Sequence, residues 1–215
     1  MMCFGMSPAQ HKVFQVAPDW QIYLASTSPR RAQLLASLGI HFKSVAPPYL
    51  EQPAEAGMDA RTYAARCARL KAQSVRLPTL NTRSVIISAD TIVVADNMIM
   101  GKPADRAAAC HMLRSLNGRW HEVYTAVNIL SPDFEIEICE KTEVHFSDWP
   151  VDVLAAYVDT DEPFDKAGAY AIQGTGAFLA DMINGSWSNV VGLPLAQVAE
   201  ALLSAHIIEA GSYSS

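Results

Sequence analysis

The stretch SVIISADTIVVADNMIMGKP, Ser84 to Pro103, limits the fold more than any other part of the chain. Val85 to Ile87 and Ile92 to Val94 are apolar and largely β-branched on successive positions, so both faces of the strand they form must be covered. Asp96-Asn97 reads as a hairpin turn that brings the chain back antiparallel. A strand covered on both faces and followed by a hairpin calls for helices against a mixed sheet, an α/β fold rather than a purely parallel one. Asp90 breaks the apolar run. A carboxylate there must be paired, hydrogen-bonded or bound to metal. It is either a structural aspartate that caps a bulge or pairs an arginine, or part of a site.

A second stretch, YLASTSPRRAQLLASLG (Tyr23 to Gly39), reads as a strand entering a helix. Ser28 suits the N-cap, Pro29 the first helical position, and Leu34, Leu35 and Leu38 form the apolar stripe that Gly39 ends. Its first turn carries Arg30 and Arg31, where the helix dipole disfavours cations by about 0.3–1 kcal/mol each. Two arginines at that end either face solvent or meet an anion, since helix N-termini bind phosphate and guanidinium forks add bidentate donors.

The 215 residues are 50% hydrophobic, enough for a proper core. A net charge of −6 and a pI near 5.4 argue against a nucleic-acid or membrane-surface binder, so an anion site would be local. The four cysteines (Cys3, Cys67, Cys110, Cys139) form no C-x-x-C pair and the histidines form no cluster, which fits a reduced, cytoplasmic setting. No apolar run approaches the ~20 residues of a membrane span. Met1 to about Asp19 reads as a loose extension before a single domain over 20–210.

Tyr63, Cys67, Leu70 and Ser74 fall at helical spacing in an arginine-rich segment that includes Lys71, whose basic face reads as solvated. DRAAACHMLRSLNG is a further helix that ends at Gly118. EIEICEKTEVHF alternates as a half-exposed strand. A helix near Val151 to Val158 precedes the glycine-rich DKAGAYAIQGTGAF, and Pro194 opens a terminal helix bearing Leu195, Val198, Leu202 and Leu203.

Lys102, in GKP, and Lys166, in DKAGAY, are weak signals singly. With Arg30, Arg31 and Lys71 they make several cations on turns or helix starts of an acidic protein, a pattern that points to polyphosphate. Neither G-x-x-x-x-G-K-[ST] nor G-x-G-x-x-G follows a strand here. A triphosphate brings a divalent cation, Mg²⁺ or Mn²⁺, held by one or two carboxylates, for which Glu51 and Asp90 are the candidates. Gln173, in AIQGTG, could read a base edge.

The stretches LASTSPRRAQLL, SADTIVVADNMIMGKP, HEVYTAV, DKAGAYAIQG and NVVGLPL, in this order, resemble the Maf family of nucleoside triphosphate pyrophosphatases from Ile22 to Leu203. The resemblance implies an elongated mixed sheet flanked by helices, with two lobes around a deep cleft, similar to the enzymes that destroy inosine triphosphate. It implies hydrolysis of dTTP and UTP to the monophosphate and pyrophosphate, Asp90 as proton acceptor, and substrate choice set by Arg30, Thr91 and Gln173. Phosphate contacts would come from Ser26, Arg31, Lys71, Lys102 and Lys166. A homodimer is implied by the resemblance alone. The same chemistry on 7-methyl-GTP or a modified nucleotide, and a nucleotide-binding regulator of cell division, are the alternatives, although the 7-methyl-GTP branch departs from SPRR, ADT and KAGAYAIQG, all kept here. Leu50-Glu51 stands where many members have an Asp-Glu pair, leaving one carboxylate. Asn117 and Trp187 replace a common serine and tyrosine.

Overall fold

The computed structural model describes residues 12–55, 57–77 and 83–211. The chain runs through β1 (Phe14–Val16), β2 (Gln21–Ala25), α1 (Pro29–Ser37), β3 (Lys43–Val45), α2 (Ala60–Ser74), β4 (Ser84–Ala95) and β5 (Met98–Met100). It continues through α3 (Arg106–Leu116), β6 (Trp120–Leu130), β7 (Glu135–Phe146), α4 (Val151–Val158), β8 (Ala180–Asn184), α5 (Trp187–Val191), α6 (Leu195–Ser204) and β9 (Ile208–Ala210). The main sheet has the order β3-β2-β4-β6-β7-β8, with β5 added to β4. β2 lies parallel to β3 and β4, and the other pairings are antiparallel, so the sheet is mixed as expected.

β4 changes partner along its length. Ser84–Ser88 pair with β2, Val93–Ala95 pair with β5 through the Asp96-Asn97 turn, and among the described residues Ala89 to Ile92 have no strand on that edge. The turn residues have φ of 50° and 62°, the left-handed pair of a type I′ hairpin. β6 spans the break, pairing with β4 from Ile86 to Val94.

The break divides the core. Val85, Ile87 and Ala89 pack with Leu34 and Leu35 of α1 and Val198 and Leu202 of α6. Farther along the same face, Val93 and Ala95 meet Leu113 and Leu116 of α3 and Leu154 and Tyr157 of α4, around Phe146. The opposite face is covered by α2, whose Tyr63, Ala64, Cys67 and Ala68 lie against Ile92 and Val94, while Ala72 joins Ile86. Small residues on α2 let its backbone approach the sheet: the Ser88 hydroxyl donates to the Ala68 carbonyl at 2.6 Å. The periodicity Tyr63–Cys67–Leu70–Ser74 therefore locates α2, but alanines carry much of its buried face.

Several local expectations change. Phe14–Val16 pair with Ile208–Ala210, so the end of the expected loose extension belongs to a strand, while residues 1–11 lie outside the described residues. Ser28 is the N-cap of α1 but makes no side-chain cap bond; instead its N–H donates to Ser26 Oγ at 3.1 Å. α5 is a short helix for which the sequence carried no apolar period, and Ser186 caps it by accepting from the Asn189 N–H.

Gly168 ties the second half of the fold together. Its N–H donates to the Gly101 carbonyl at 3.1 Å, joining the loops that carry Lys166 and Lys102. At φ +68°, an added Cβ would lie 2.9 Å from Val93 Cγ2. Gly168→Ala is expected to cost at least ~2 kcal/mol, combining left-handed strain with overpacking. Urea unfolding checks this through a lower midpoint at unchanged slope.

Candidate active site

A cleft of about 800 Å³ opens beside the unpaired stretch of β4. Ser26 reaches it from the end of β2, Arg30 and Arg31 from the first turn of α1, and Glu51 from the loop before α2. Lys71 enters from the last turn of α2, Asp90 and Thr91 from β4, and Lys102 from beyond β5. Lys166 and Gln173 flank short 3₁₀ turns at Ala167–Ala169 and Gly174–Phe178. All ten residues singled out in the sequence thus line one cavity, at the carboxyl end of a parallel strand where ligands of open α/β sheets bind.

Asp90 is 3% exposed. Its Oδ1 takes an ion pair from Lys71 Nζ, and its Oδ2 is buried without a hydrogen-bond partner. Lys71 Nζ also lies 3.4 Å from Glu51 Oε2, so one ammonium bridges two carboxylates. Burial raises the Asp90 carboxyl above the usual aspartate range, and the Lys71 charge opposes that shift. The partner is a lysine from α2 rather than an arginine, and the basic face of that helix is solvated only in part, since Lys71 is 16% exposed.

Asp90 and Thr91 are neighbours on opposite faces of β4, reaching the same cleft because the strand edge between them is open. The Thr91 hydroxyl accepts from Arg31 Nη2 at 3.0 Å and contacts Thr125 Oγ1 at 2.9 Å. Arg31 Nε donates to the Gly192 carbonyl at 2.8 Å, just past α5. The first-turn arginines therefore have protein partners of their own: Arg31 these oxygens, Arg30 the Asp165 carboxylate at 3.5 Å. Burial lowers the Arg31 pKa, with Asp90 pulling the other way. Lys166 Nζ donates to the Glu162 carbonyl and to Asp165, each at 2.5 Å, while Lys102 is exposed.

The loop bearing Gln173 is fixed from beneath. Glu162 Oε2 accepts from the Gly176 N–H at 2.9 Å, and the Tyr157 hydroxyl accepts from the Ala171 N–H at 3.2 Å. Glu162 and Tyr157 escaped the sequence reading because their contacts are to backbone groups of a loop with no periodic signal.

The residues around Asp90 suit a hard divalent cation. Glu51 and Asp90 offer carboxylate oxygens, Asp90 Oδ2 lacks a partner, and Lys71 shows that a positive charge is held between them. Leu50, 82% exposed, adds no ligand. Cys67 completes a group whose ligand atoms lie within 4.8 Å of one another. Sequence alone placed Cys67 and Tyr63 only at helical spacing in an arginine-rich segment. Tyr63 in fact donates to Glu51 Oε1 at 3.3 Å and Gln52 O at 2.9 Å, and Tyr49 donates to Cys67 Sγ at 3.8 Å. Cys67, Cys110 and Cys139 are free thiols, and Cys3 lies outside the described residues. No helix among the described residues is long and apolar enough to cross a membrane.

Comparison with known proteins agrees with the motif reading. The profile of the family described as Maf-like protein matches residues 21–205. A dTTP/UTP pyrophosphatase of Methylobacillus flagellatus is 46% identical over 184 residues, covering 85% of this chain and 91% of its own. One from Thermosipho melanesiensis is 42% identical over 187 residues, covering 87% of this chain and 99% of its own. The solved structure of the Staphylococcus aureus Ham1 protein aligns at 14% identity over 60% of this chain and 72% of that one, with a TM-score of 0.39. The fold assignment rests on the strand order above and not on that alignment.

Behind the cleft, His121 Nε2 lies 2.8 Å from the hydroxyl of Tyr170, a lining residue. Burial pushes the imidazole down to about 4. The unfolded chain therefore takes up a proton near pH 6.5 that the folded chain refuses until about pH 4. Stability from the neutral histidine is full above 6.5 and is lost as pH falls through this window, by ~3 kcal/mol. His121→Gln keeps a polar partner for Tyr170 and should remove that slope. Denaturation midpoints of the two proteins between pH 7 and 4 check it.

Proposed function

This chain belongs to the Maf family, and from that premise we propose that it hydrolyses dTTP and UTP to the nucleoside monophosphate and pyrophosphate. The observation that carries the reading is the buried Asp90 at the open edge of β4, ringed by Lys71, Arg31 and Lys102 in a cleft large enough for a nucleotide. The names of the relatives supply the substrate class.

In this mechanism water attacks the α-phosphorus, its proton passes to the Asp90 carboxylate, and pyrophosphate departs. An ordinary aspartate is a weak base at neutral pH, and burial makes this one stronger. Lys71 gains a second task when the substrate enters. Its ammonium can turn from the carboxylates to the phosphates, which leaves Asp90 more basic where the proton must be taken. Arg31, Lys102, Lys166 and Ser26 hold the phosphate oxygens, and the cations oppose charge that builds on the leaving pyrophosphate. Glu51 and Asp90 are the residues that would hold Mg²⁺ or Mn²⁺, which would supply neutralisation of phosphate charge.

Arg30, Thr91 and Gln173 select the nucleotide. Thr91 acts through Arg31 as much as directly, because its hydroxyl already accepts from that guanidinium. A reducing cytoplasmic setting accords with the three free thiols among the described residues.

The test is product analysis with dTTP, UTP and 7-methyl-GTP in Mg²⁺ or Mn²⁺. The expected products from dTTP are dTMP and pyrophosphate; dTDP and orthophosphate would mean a different reaction, and a preference for 7-methyl-GTP a different branch. Asp90→Asn should lower kcat by ~10²-fold or more with the fold retained, read by turnover and circular dichroism together.

A further inference from the structure

Cys67 has no part in the mechanism above, yet it is buried on α2 directly beneath the charged centre of the cleft. Its sulfur, a Glu51 oxygen and an Asp90 oxygen lie mutually within 4.8 Å. Asp90, one of the three, is buried to 3% exposure and its Oδ2 has no hydrogen-bond partner, so the cluster holds a desolvated carboxylate oxygen that is unsatisfied. One thiol and two carboxylates make a donor set unlike that of a magnesium site. Thiolate favours soft or borderline cations, carboxylate oxygens also ligate zinc, and three protein ligands with one open position are a common zinc arrangement.

We propose that Cys67, Glu51 and Asp90 form a site for a thiophilic divalent cation, Zn²⁺ or Cd²⁺, that shuts the cleft to catalysis. On binding, the Cys67 S–H bond breaks, the proton leaves to solvent and a sulfur–metal bond forms. Lys71 keeps its protons and gives up its two carboxylates; its flexible stem leaves room to swing toward the cleft. Tyr49, whose hydroxyl already points at the sulfur, supports the thiolate from outside the ligand set. The bound ion occupies Asp90 and removes the proton acceptor. The inhibitory consequence rests on the pyrophosphatase reading, whereas the binding site does not.

The experiment begins with the 215-residue chain carrying Cys3→Ser, Cys110→Ser and Cys139→Ser, which leaves Cys67 as the one thiol of that sequence. Metal-free and reduced, it is titrated with Cd²⁺ alone. The expected result is an ultraviolet sulfur-to-cadmium charge-transfer band that saturates at one equivalent, with a proton released. Asp90→Asn or Glu51→Gln in that background should keep the band and weaken Cd²⁺ binding at least ~10-fold. Cys67→Ala and the volume-keeping Cys67→Val, each checked for native circular dichroism, should abolish the band. No saturable band, or an affinity indifferent to both carboxylates, would overturn the site. In a second arm, Zn²⁺ is added to the Mg²⁺-supported reaction with dTTP. Its inhibitory concentration should rise at least ~10-fold in Cys67→Ala relative to the parent. Equal inhibition of the two proteins would overturn the blocking role, and a band without hydrolysis of any nucleotide would sustain the site while removing the function reading.

Discussion

Everything in the cleft depends on one strand changing neighbours. β4 leaves β2 after Ser88 and meets β5 only at Val93, while β6 runs past the gap without interruption. The continuous ladder keeps the sheet together, and the open edge lets side chains from both faces reach one cavity. Had β5 paired one turn earlier, Asp90 and Thr91 would have been sealed behind a strand. The two halves of the core then follow, because each half of β4 recruits its own helices: α1 and α6 on one side of the gap, α3 and α4 on the other.

The electrostatics are set by the same gap. A carboxylate at 3% exposure is costly, and Lys71 offsets that cost from the end of α2, where a cation also suits the helix dipole. Asp90 is therefore neither free nor fully satisfied, with one oxygen paired and one not. Such a group is poised to exchange partners, and the chemistry proposed for the cleft uses that property. Arg31 shows a different design: its Nε and Nη2 are held by Gly192 and Thr91, so it braces α1, β4 and the end of α5 and presents its remaining donors from a fixed position.

How far the sequence could be read followed the range of the forces involved. Local signals were legible: the apolar run of β4, the Asp96-Asn97 turn and α4 over Val151–Val158 depend on neighbours in the chain. The site residues could be named because their motifs are spaced along the chain, but their partners could not. That Lys71 pairs with Asp90, or that Glu162 holds the loop of Gln173, depends on packing between elements. Tyr63 and Cys67 were hidden by serving two ends at once, apolar against the sheet and polar toward Glu51. The alanine face of α2 and the pairing of β1 gave no periodic signal, since small residues and three-residue strands are too brief for one.

The pairing of β1 with β9 bears on how the molecule is made. Gln15 and Glu209 hydrogen-bond at 2.7 Å across 194 positions of sequence. A ribosome releases the first of these residues 194 positions before the second, so β1 waits without its neighbour while everything between them is made. The sheet around β2 and β4 can assemble from the emerging chain, but closing so long a loop must wait for β9. The two strands thus act as a clasp fastened only after the sheet between them has been made.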